Sequence, residues 1–365
     1  MKDDGRRIVN KSMIFQAALT DLANRYREAG YFPSASVRVF TGTETLAAVS
    51  VGEAGDDSLF DVASLTKIAT TTGILSLIYE GRLELDDLIV KQFPEMENDP
   101  WYRERFGGIT VRKMLTHTST LPAWYPFYTW QGEDFWLALK SAVRNQLPSE
   151  GMVYSDLNFI LLGKLLERKC RKSLPECLDE YVTGPLGIRD EMMYLPPESR
   201  RASIVPSCFD NAIEEGMCAE RGLRFDHWRP RNTPVTGTVN DGNSYYYFGG
   251  VSGHAGIFAT AGAYQKLCQA YMRSEKAVFR EAQKEQSISP GRGLGFETGT
   301  VYPHGCGHKG FTGTSIYFST EYDIGAVAMT NRLYYEQPSG HNMNEFRYAL
   351  HEMAFSLAGA LKGAL

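Results

Sequence analysis

Residues 60–67 read Phe60-Asp61-Val62-Ala63-Ser64-Leu65-Thr66-Lys67, and they open the small and apolar segment Leu65–Glu80. We predict that this segment is a buried helix, which ends where Gly81 supplies the left-handed residue common after helix ends. Residues three apart lie on one face of a helix, so the Lys67 amine can reach the Ser64 hydroxyl. The helix N-terminus favours negative charge beside Ser64.

A serine hydroxyl is a weak nucleophile until a neighbouring group takes its proton. A lysine can take it only if burial or nearby cations lower its pKa from about 10.4 to about 7–8. The apolar residues that follow Ser64 favour such desolvation of Lys67. The spacing therefore predicts a nucleophilic serine activated by a lysine. The alternative is that Ser64 caps the helix while Lys67 reaches solvent.

Strand-like runs lie near both ends of the chain, and each pair is joined by a short polar turn typical of an antiparallel hairpin. The four runs are Ala35–Phe40, Thr45–Val51, Ser315–Ser319 and Ile324–Asn331. Apolar residues at helical spacing predict helices over residues 12–29 and 343–361. Together they predict an α+β fold, with one antiparallel sheet flanked by N- and C-terminal helices. Residues 68–245 would form a mostly helical subdomain inserted into a single catalytic domain, residues 1–365.

Local signals place shorter elements within the predicted insertion. Thr110 can cap a short helix over Val111–His117, and Ser155 or Asp156 can cap another. Residues 196–245 are rich in Pro, Gly, Asn and Ser with little periodicity, which predicts long surface connections.

The composition excludes several classes of function. The 365 residues carry 38 basic against 43 acidic side chains, for a net charge of −5. That balance argues against a nucleic-acid partner, which needs a surplus of Lys and Arg on one face. No run approaches the 18 apolar residues of a membrane span, and no signal-peptide segment follows the charged residues 1–7. We expect a cytoplasmic protein, or a periplasmic or extracellular one if the chain is a processed form.

Several common catalytic templates are missing from the sequence. Gly250-Val251-Ser252-Gly253-His254 lacks the last glycine of a GxSxG nucleophile elbow. There is no HExxH motif, no P-loop and no clustered set of metal ligands, and the six cysteines form no CxxC pair. We therefore predict neither a metal nor a cofactor, and we expect free thiols.

Five further segments follow residues 60–67 in order. They are Gly81-Arg82-Leu83-Glu84-Leu85-Asp86-Asp87, Ile109-Thr110-Val111-Arg112-Lys113-Met114-Leu115-Thr116-His117-Thr118-Ser119, Val153-Tyr154-Ser155-Asp156-Leu157-Asn158-Phe159-Ile160-Leu161-Leu162-Gly163, Gly253-His254-Ala255-Gly256-Ile257-Phe258 and His308-Lys309-Gly310-Phe311-Thr312-Gly313-Thr314-Ser315. This ordered set resembles the serine β-lactamase/penicillin-binding-protein superfamily. It is most similar to the class C β-lactamase-like branch, which also contains D-amino-acid peptidases and esterases.

The resemblance implies that Ser64 is the acylated nucleophile and that Lys67 is its proton-handling partner. Tyr154 matches the tyrosine of the family's Tyr-x-Asn element, which implies a base or proton shuttle between Ser64 and the leaving group. A phenol serves as a base only as phenolate, beside a cation such as Lys67; the alternative is a packed tyrosine before a helix. Asp156 stands where the family often has Asn among the substrate-binding residues. Its charge can hold Lys67 protonated and disfavour anionic substrates.

His308-Lys309-Gly310 matches the family's Lys-Thr-Gly or His-Thr-Gly element. The resemblance implies that His308 hydrogen-bonds or charge-stabilises the bound acyl group, and that Gly310 lets the substrate approach the strand. The N–H groups of Phe311 and Ser64 would form the oxyanion hole. Lys309 departs from the pattern, and its side chain can point away from the site. Alternatively, residues 310–313 are only a tight turn.

Two other features are less specific. Aromatic residues cluster where the family borders its substrate cleft, and they form either a wall of the cleft or a hydrophobic mini-core. These residues are Trp124, Tyr125, Phe127, Tyr128, Trp130 and Trp136. We interpret His254 as architectural rather than catalytic.

The function predicted from these observations is a serine hydrolase that acts through an acyl-enzyme. Its partner would be a small-molecule or short-peptide substrate with an amide or ester bond: a D-amino-acid peptide, an ester or a β-lactam. The alternative is a penicillin-binding or sensor-like protein that is acylated slowly or only binds its ligand. The sequence predicts no oligomeric state.

Overall fold

The strands predicted at the two ends of the chain form one antiparallel sheet. A computed structural model describes residues 2–144, 151–335 and 340–362. Its strands are β1 (Ala35–Phe40), β2 (Thr45–Val51), β3 (Phe60–Asp61), β4 (Met192–Tyr194), β5 (Ile257–Ala259), β6 (Cys306–Lys309), β7 (Ser315–Ser319) and β8 (Ile324–Thr330). The main sheet has the order β2-β1-β8-β7-β6, and all its neighbours are antiparallel. A small second sheet has the order β3-β5-β4.

Helices connect and cover the two sheets. They are α1 (Lys2–Glu28), α2 (Thr66–Tyr79), α3 (Pro94–Glu97), α4 (Pro100–Phe106), α5 (Val111–Leu115), α6 (Phe135–Arg144), α7 (Asp156–Cys170), α8 (Leu174–Leu178), α9 (Gly184–Leu186), α10 (Ala212–Glu220), α11 (Ala261–Met272), α12 (Ala277–Ala282) and α13 (Met343–Lys362). Short 3-10 turns occur at Ala63–Leu65, Ile89–Gln92, Phe127–Trp130 and Glu198–Ser203, and π turns at Asp179–Thr183 and Asn243–Tyr247.

The predicted α+β fold is confirmed, including the terminal helices on the sheet. Three of the four predicted strands have the predicted bounds, whereas β8 ends one residue early, at Thr330. Asn331 still contacts the residue before β1: its backbone N–H donates to the Ser34 carbonyl at 3.4 Å, and its side-chain oxygen accepts from the Ser34 N–H at 2.9 Å. Its side-chain nitrogen donates to the Pro206 carbonyl at 3.0 Å. The division into one catalytic domain with residues 68–245 inserted stays a prediction, and parts of residues 1–365 lie outside the described ranges.

The main sheet is buried on both faces. Helices α1 and α13 cover one face, where Phe15, Leu19, Phe346 and Leu350 are completely buried. Helix α11 packs on the other face. Each large apolar side chain buried in this way contributes roughly 1.5–3 kcal/mol. Strand β6 ends the sheet beside the turn before α2, so the packing brings His308 and its neighbours next to the predicted nucleophile.

Helix α2 is the central helix of the fold. The residues from Thr66 to Leu77 are all buried, as expected for a helix whose side chains are mostly small or apolar. Gly73 packs on α7, where a Cβ atom would lie 2.6 Å from a methyl group of Leu166. The helix ends as predicted, with Gly81 at φ +69°. Its start differs by one residue, because Ala63–Leu65 form a 3-10 turn.

The predicted helix caps have different outcomes. Thr110 caps α5 as predicted, since its side chain accepts from the Lys113 N–H at 3.2 Å. That helix ends at Leu115, two residues before the prediction, because His117 takes φ +58°. Ser155 takes the N-cap position of α7, as predicted, but its side chain makes no capping hydrogen bond. The Ser155 hydroxyl donates to the Pro122 carbonyl at 2.6 Å, and Asp156 is the first residue of α7.

The prediction of long surface connections over residues 196–245 is wrong in part. This stretch contains α10, whose Cys218 packs in a small aromatic cluster. The cluster buries Trp124, Tyr128, Cys218 and Phe225, with Trp228 and Tyr246 against them. Trp124 and Tyr128 therefore belong to a mini-core, and Tyr125 and Phe127 belong to the main core. The low periodicity hid α10 because a single cysteine is its one buried residue.

Among the described helices, none is both long and apolar enough to cross a membrane. All six cysteines are free thiols, as expected from the sequence, and all but Cys170 are buried.

Candidate active site

A strained turn presents Ser64. Ala63, directly before it, lies in the left-handed region at φ +48°, a conformation that costs a non-glycine residue of order 1–3 kcal/mol. Asp61 holds the turn: its carboxylate accepts from the Ala63 N–H at 2.9 Å and from the Asn240 N–H at 2.6 Å. Burial raises the pKa of Asp61 to about 6, although these two hydrogen bonds oppose the shift. Ser64 is partly exposed while its neighbours are buried.

Lys67 is completely buried among polar groups. Its Nζ donates to Ser64 Oγ at 2.7 Å and to the His254 carbonyl oxygen at 3.2 Å. The same Nζ forms an ion pair with Asp156 Oδ1 at 2.8 Å. The sequence therefore predicts the Ser64 contact correctly, and Lys67 does not reach solvent.

The lowered pKa that a lysine base requires is not found for Lys67 in the resting site. Burial lowers the pKa of Lys67, but the electrostatic effects of Asp156 and then of Tyr154 outweigh burial and raise it. Asp156 is less buried than its partner, with 18% of its side chain exposed against 0% for Lys67. The carboxylate thus holds the lysine protonated, which is the effect expected of an aspartate where the family often has Asn.

Tyr154 lies over the same ammonium group. Lys67 Nζ is 5.0 Å from the centre of the Tyr154 ring, and the ring of His117 is 4.5 Å away on another side. Burial raises the pKa of the phenol; the charge of Lys67 opposes this only partly, since Asp156 offsets it. The tyrosine is therefore a neutral phenol in the resting site.

His308 lies on β6 with its ring centre 6.0 Å from that of Tyr154. Burial lowers its pKa to about 3, so the imidazole is neutral at physiological pH. Its Nδ1 hydrogen-bonds to the Lys309 carbonyl at 3.0 Å, which makes Nε2 the acceptor, and Nε2 has no partner among the described residues. The neutral ring supplies no positive charge in the resting site, and its Nε2 can accept a hydrogen bond from a substrate N–H or O–H group. The predicted role of His308 towards a bound acyl group stays a prediction.

The Lys309 side chain extends towards Glu297, with 3.2 Å between Nζ and Oε2. Glu297 also lies 3.4 Å from Arg292, whose guanidinium is 5.3 Å from the centre of the Tyr154 ring. Burial raises the pKa of Glu297, but the surrounding cations outweigh it and the pKa is lowered. The ionised Glu297 carboxylate is the partner of Lys309, so the Lys309 side chain takes no part in the contact between Ser64 and Lys67.

Gly310 is required for a reason that differs from the prediction. A Cβ atom at this position would overlap the Thr314 hydroxyl and lie 2.5 Å from the Val62 carbonyl oxygen. The space beside Gly310 is therefore filled by the protein's own chain, not left for substrate. Thr312 donates to the Asp61 carbonyl at 2.8 Å and Thr314 to the Val62 carbonyl at 3.0 Å.

These bonds tie the loop that contains Phe311 to the turn that contains Ser64. The Phe311 side chain is 46% exposed, and the guanidinium of Arg332 lies 5.2 Å from its ring centre. The loop is thus more than a tight turn between strands, because its hydroxyl groups hold the residues just before the predicted nucleophile.

Three groups that border the site were not predicted from the sequence to act in it: Asp61, His117 and the carbonyl group of His254. The His254 ring is buried between Ser252 and Asp241, at 2.8 and 3.0 Å, in keeping with an architectural role. The sequence signal for these three residues is their position, because each lies within or beside a segment that resembles the superfamily. Among the described residues, no three His, Cys, Asp or Glu side chains converge as a metal site requires.

A sequence model of the β-lactamase family matches residues 19–349. The chain is 28% identical to the D-alanyl-D-alanine-carboxypeptidase/endopeptidase AmpH of Escherichia coli K12 over 257 residues, which is 67% of this chain and 61% of AmpH. A β-lactamase/D-alanine carboxypeptidase from Yersinia pestis has a similar fold, with a TM-score of 0.67, 20% identity, and coverage of 93% and 97% of the two chains. A class C β-lactamase gives a TM-score of 0.67 at 17% identity, covering 94% and 99%.

The fold and the family match define the class, a serine hydrolase of the β-lactamase and penicillin-binding-protein superfamily. Within it, the chain belongs to the β-lactamase family.

Proposed function

We propose that the protein cleaves small amides or esters through an acyl-enzyme on Ser64. The observation that carries the proposal is the continuous contact from Ser64 Oγ to Lys67 Nζ at 2.7 Å and on to Asp156 Oδ1 at 2.8 Å. Ser64 Oγ attacks the carbonyl carbon, the carbon–nitrogen or carbon–oxygen bond breaks, and the leaving group takes up a proton. Water then attacks the acyl group, releases the acid and restores the Ser64 hydroxyl.

The proton of Ser64 passes through Lys67 and Tyr154. Both are protonated in the resting site, so one of them must lose a proton before it can accept one. Asp156 is the nearest acceptor for a proton from Lys67. When a bound substrate excludes water from the site, the neutral forms of Lys67 and Asp156 are favoured over their ion pair. Lys67 and Tyr154 then titrate as a coupled pair rather than as two independent groups.

The oxyanion hole of this proposal consists of the Ser64 and Phe311 N–H groups. The bonds from Thr312 and Thr314 to the carbonyls of Asp61 and Val62 hold the two segments together. Donors of this kind act on the charge that develops in the transition state, and each contributes about 2.7–4 kcal/mol.

The substrate of the proposal is a D-amino-acid peptide, an ester or a β-lactam. Relatives named as a D-alanyl-D-alanine-carboxypeptidase/endopeptidase and as a class C β-lactamase support this range. The partly exposed carboxylate of Asp156 disfavours a negative charge on the part of the substrate that faces it. We therefore expect substrates that are neutral or cationic there.

The test compares the wild-type protein with Ser64→Ala on three probes: nitrocefin, p-nitrophenyl butyrate and a D-Ala-D-Ala peptide. We expect turnover of at least one probe by the wild type and a loss of 1,000-fold or more in the variant. Ser76→Ala, in the same helix but bonded to the Thr72 carbonyl, is the matched control. Equal turnover by wild type and Ser64→Ala would rule out Ser64 as the nucleophile.

A second candidate is a slowly acylated penicillin-binding or sensor-like protein. The lysine held protonated by Asp156 favours it, because a protonated base slows attack by Ser64. Intact mass spectrometry after exposure to a reactive penicillin separates the two. Rapid loss of the adduct supports the hydrolase, and an adduct that persists for hours supports the sensor.

A further inference from the structure

We propose that His117 is a positioning residue for Tyr154, a role that rests on the proposed function. His117 follows α5, is only 1% exposed, and takes the left-handed conformation at φ +58°. A non-glycine residue held in that region costs of order 1–3 kcal/mol, so the surrounding contacts must determine it.

His117 holds the chain on both sides of Tyr154. Its carbonyl oxygen accepts from the Val153 N–H at 2.9 Å, and its Nδ1 accepts from the Ser155 N–H at 2.9 Å. One residue thereby binds the N–H groups of the residues directly before and directly after the tyrosine. The left-handed backbone of His117 turns its carbonyl and its ring towards the same segment, residues 153–155.

The imidazole also contacts the phenol itself. The two ring centres are 4.5 Å apart at an interplanar angle of 34°, and Lys67 Nζ lies 5.0 Å from the same phenol ring. The His117 ring is in turn held by Asn158, whose Nδ2 lies 3.3 Å from Nδ1, and by Phe159 at 5.4 Å. Asn158 is fixed by the Ser119 hydroxyl at 2.6 Å. The phenol ring thus has both the His117 imidazole and the Lys67 ammonium group as close neighbours.

The hydrogen bonds also determine the tautomer of His117. Nδ1 accepts from the Ser155 N–H, so it carries no hydrogen, and the hydrogen of the neutral ring is on Nε2. Burial, followed by the positive charges of Arg292 and Lys67, keeps the pKa of His117 well below its usual value. The ring is therefore neutral at neutral pH and keeps Nδ1 as an acceptor there.

The experiment uses two substitutions that separate the contacts. His117→Phe keeps a ring beside Tyr154 and removes the acceptor for Ser155. His117→Asn removes the ring and keeps an acceptor, because its Oδ1 can take the place of Nδ1, and Asn tolerates the left-handed backbone. His351→Asn is the matched control: this histidine is also completely buried with one bond from Nδ1, to the Val301 carbonyl, but it lies on α13.

The readout is kcat and KM on whichever probe the wild type hydrolyses, per active site counted by mass spectrometry of the acylated protein. We expect kcat of His117→Phe to fall about 100-fold with KM within threefold, the effect of a misplaced reacting group. The kcat of His117→Asn should fall three- to tenfold, and the kcat of His351→Asn should fall less than twofold. If His117 served packing alone, all three variants would have a lower melting temperature, and kcat would not fall selectively in His117→Phe while KM stays constant.

The proposal is overturned if His117→Phe folds and keeps the wild-type kcat while Ser64→Ala is inactive; the proposed function then stands. If Ser64→Ala is as active as wild type, the proposed function fails instead. Should His117→Phe not fold, His117→Asn decides alone: a kcat equal to wild type overturns the proposal, and a three- to tenfold loss with unchanged KM supports it.

Discussion

The Lys67 ammonium lies 2.8 Å from the Asp156 carboxylate and 2.7 Å from the Ser64 hydroxyl, so the proposed nucleophile ends a chain of three polar groups. The family often has Asn at the position of Asp156. The added charge raises the pKa of Lys67 although burial lowers it. Lys67, the proposed base, is therefore protonated in the resting site.

Asp156→Asn should release that base. Without the carboxylate, burial dominates and the pKa of Lys67 falls, since an opposite charge at this distance shifts a pKa by about 1–3 units. The rising limb of the profile of kcat/KM against pH should move down by a similar amount. Glu95→Gln, which removes a surface partner of Arg168, is the control. An unmoved limb would mean that Asp156 does not govern the proton on Lys67.

The same substitution should change the preference for substrate charge. We compare the neutral ester p-nitrophenyl butyrate with a p-nitrophenyl ester that carries a free carboxylate. Asp156→Asn should raise kcat/KM for the anionic ester about tenfold relative to the neutral one, because about 1.4 kcal/mol of repulsion is removed. A ratio that stays constant would place Asp156 away from the bound substrate.

Lys67→Met should be costly to stability as well as to activity. It leaves the Asp156 carboxylate without its partner in a mostly buried site, which typically costs about 3–5 kcal/mol in the free energy of unfolding. Urea denaturation should detect this loss, and the double variant Lys67→Met/Asp156→Asn should recover at least half of it. If the double variant is no more stable than Lys67→Met, the two side chains are not coupled.

The local features of this site and fold could be predicted from the sequence, and the long-range ones could not. The reach from Lys67 to Ser64 is predicted from the spacing of three residues, although Ser64 lies in the 3-10 turn that precedes α2. The bounds of Ala35–Phe40 follow from local alternation and a turn. The protonation of Lys67 depends on Asp156, far along the chain, and was predicted only as an effect of charge. The role of Gly310 depends on its distance from the Val62 carbonyl, and the position of the His117 side chain depends on a left-handed backbone. Neither feature produces a pattern in the sequence.

Acid should destabilise the protein through its buried histidines. Burial lowers the pKa of His351 to about 4, below the value of about 6.5 in the unfolded chain. Between these values the unfolded state binds the proton and the folded state does not, so stability falls as the pH falls from 6.5 to 4. His351→Gln should reduce this slope by up to about 1.4 kcal/mol per pH unit, measured by urea denaturation at several pH values. An unchanged slope would mean that His351 is already protonated in the folded protein.

Gly310→Ala should damage the site through the backbone rather than through the substrate. The added Cβ would lie 2.5 Å from the Val62 carbonyl and against the Thr314 hydroxyl, so the loop must move away from the turn before Ser64. Because a shift of about 1 Å in a reacting group costs roughly 100-fold in rate, we expect a loss of this size in kcat, with a lower melting temperature.

Gly216→Ala is the matched control for this change. Gly216 lies within α10 with nothing near its added Cβ, so the alanine should stabilise the helix by about 0.5–1 kcal/mol and leave kcat unchanged. If Gly310→Ala keeps the wild-type kcat, the loop tolerates the shift, and the Phe311 N–H is not held in place for the oxyanion by this contact. If kcat falls while the melting temperature stays, the contact serves the geometry of the site rather than the stability of the fold.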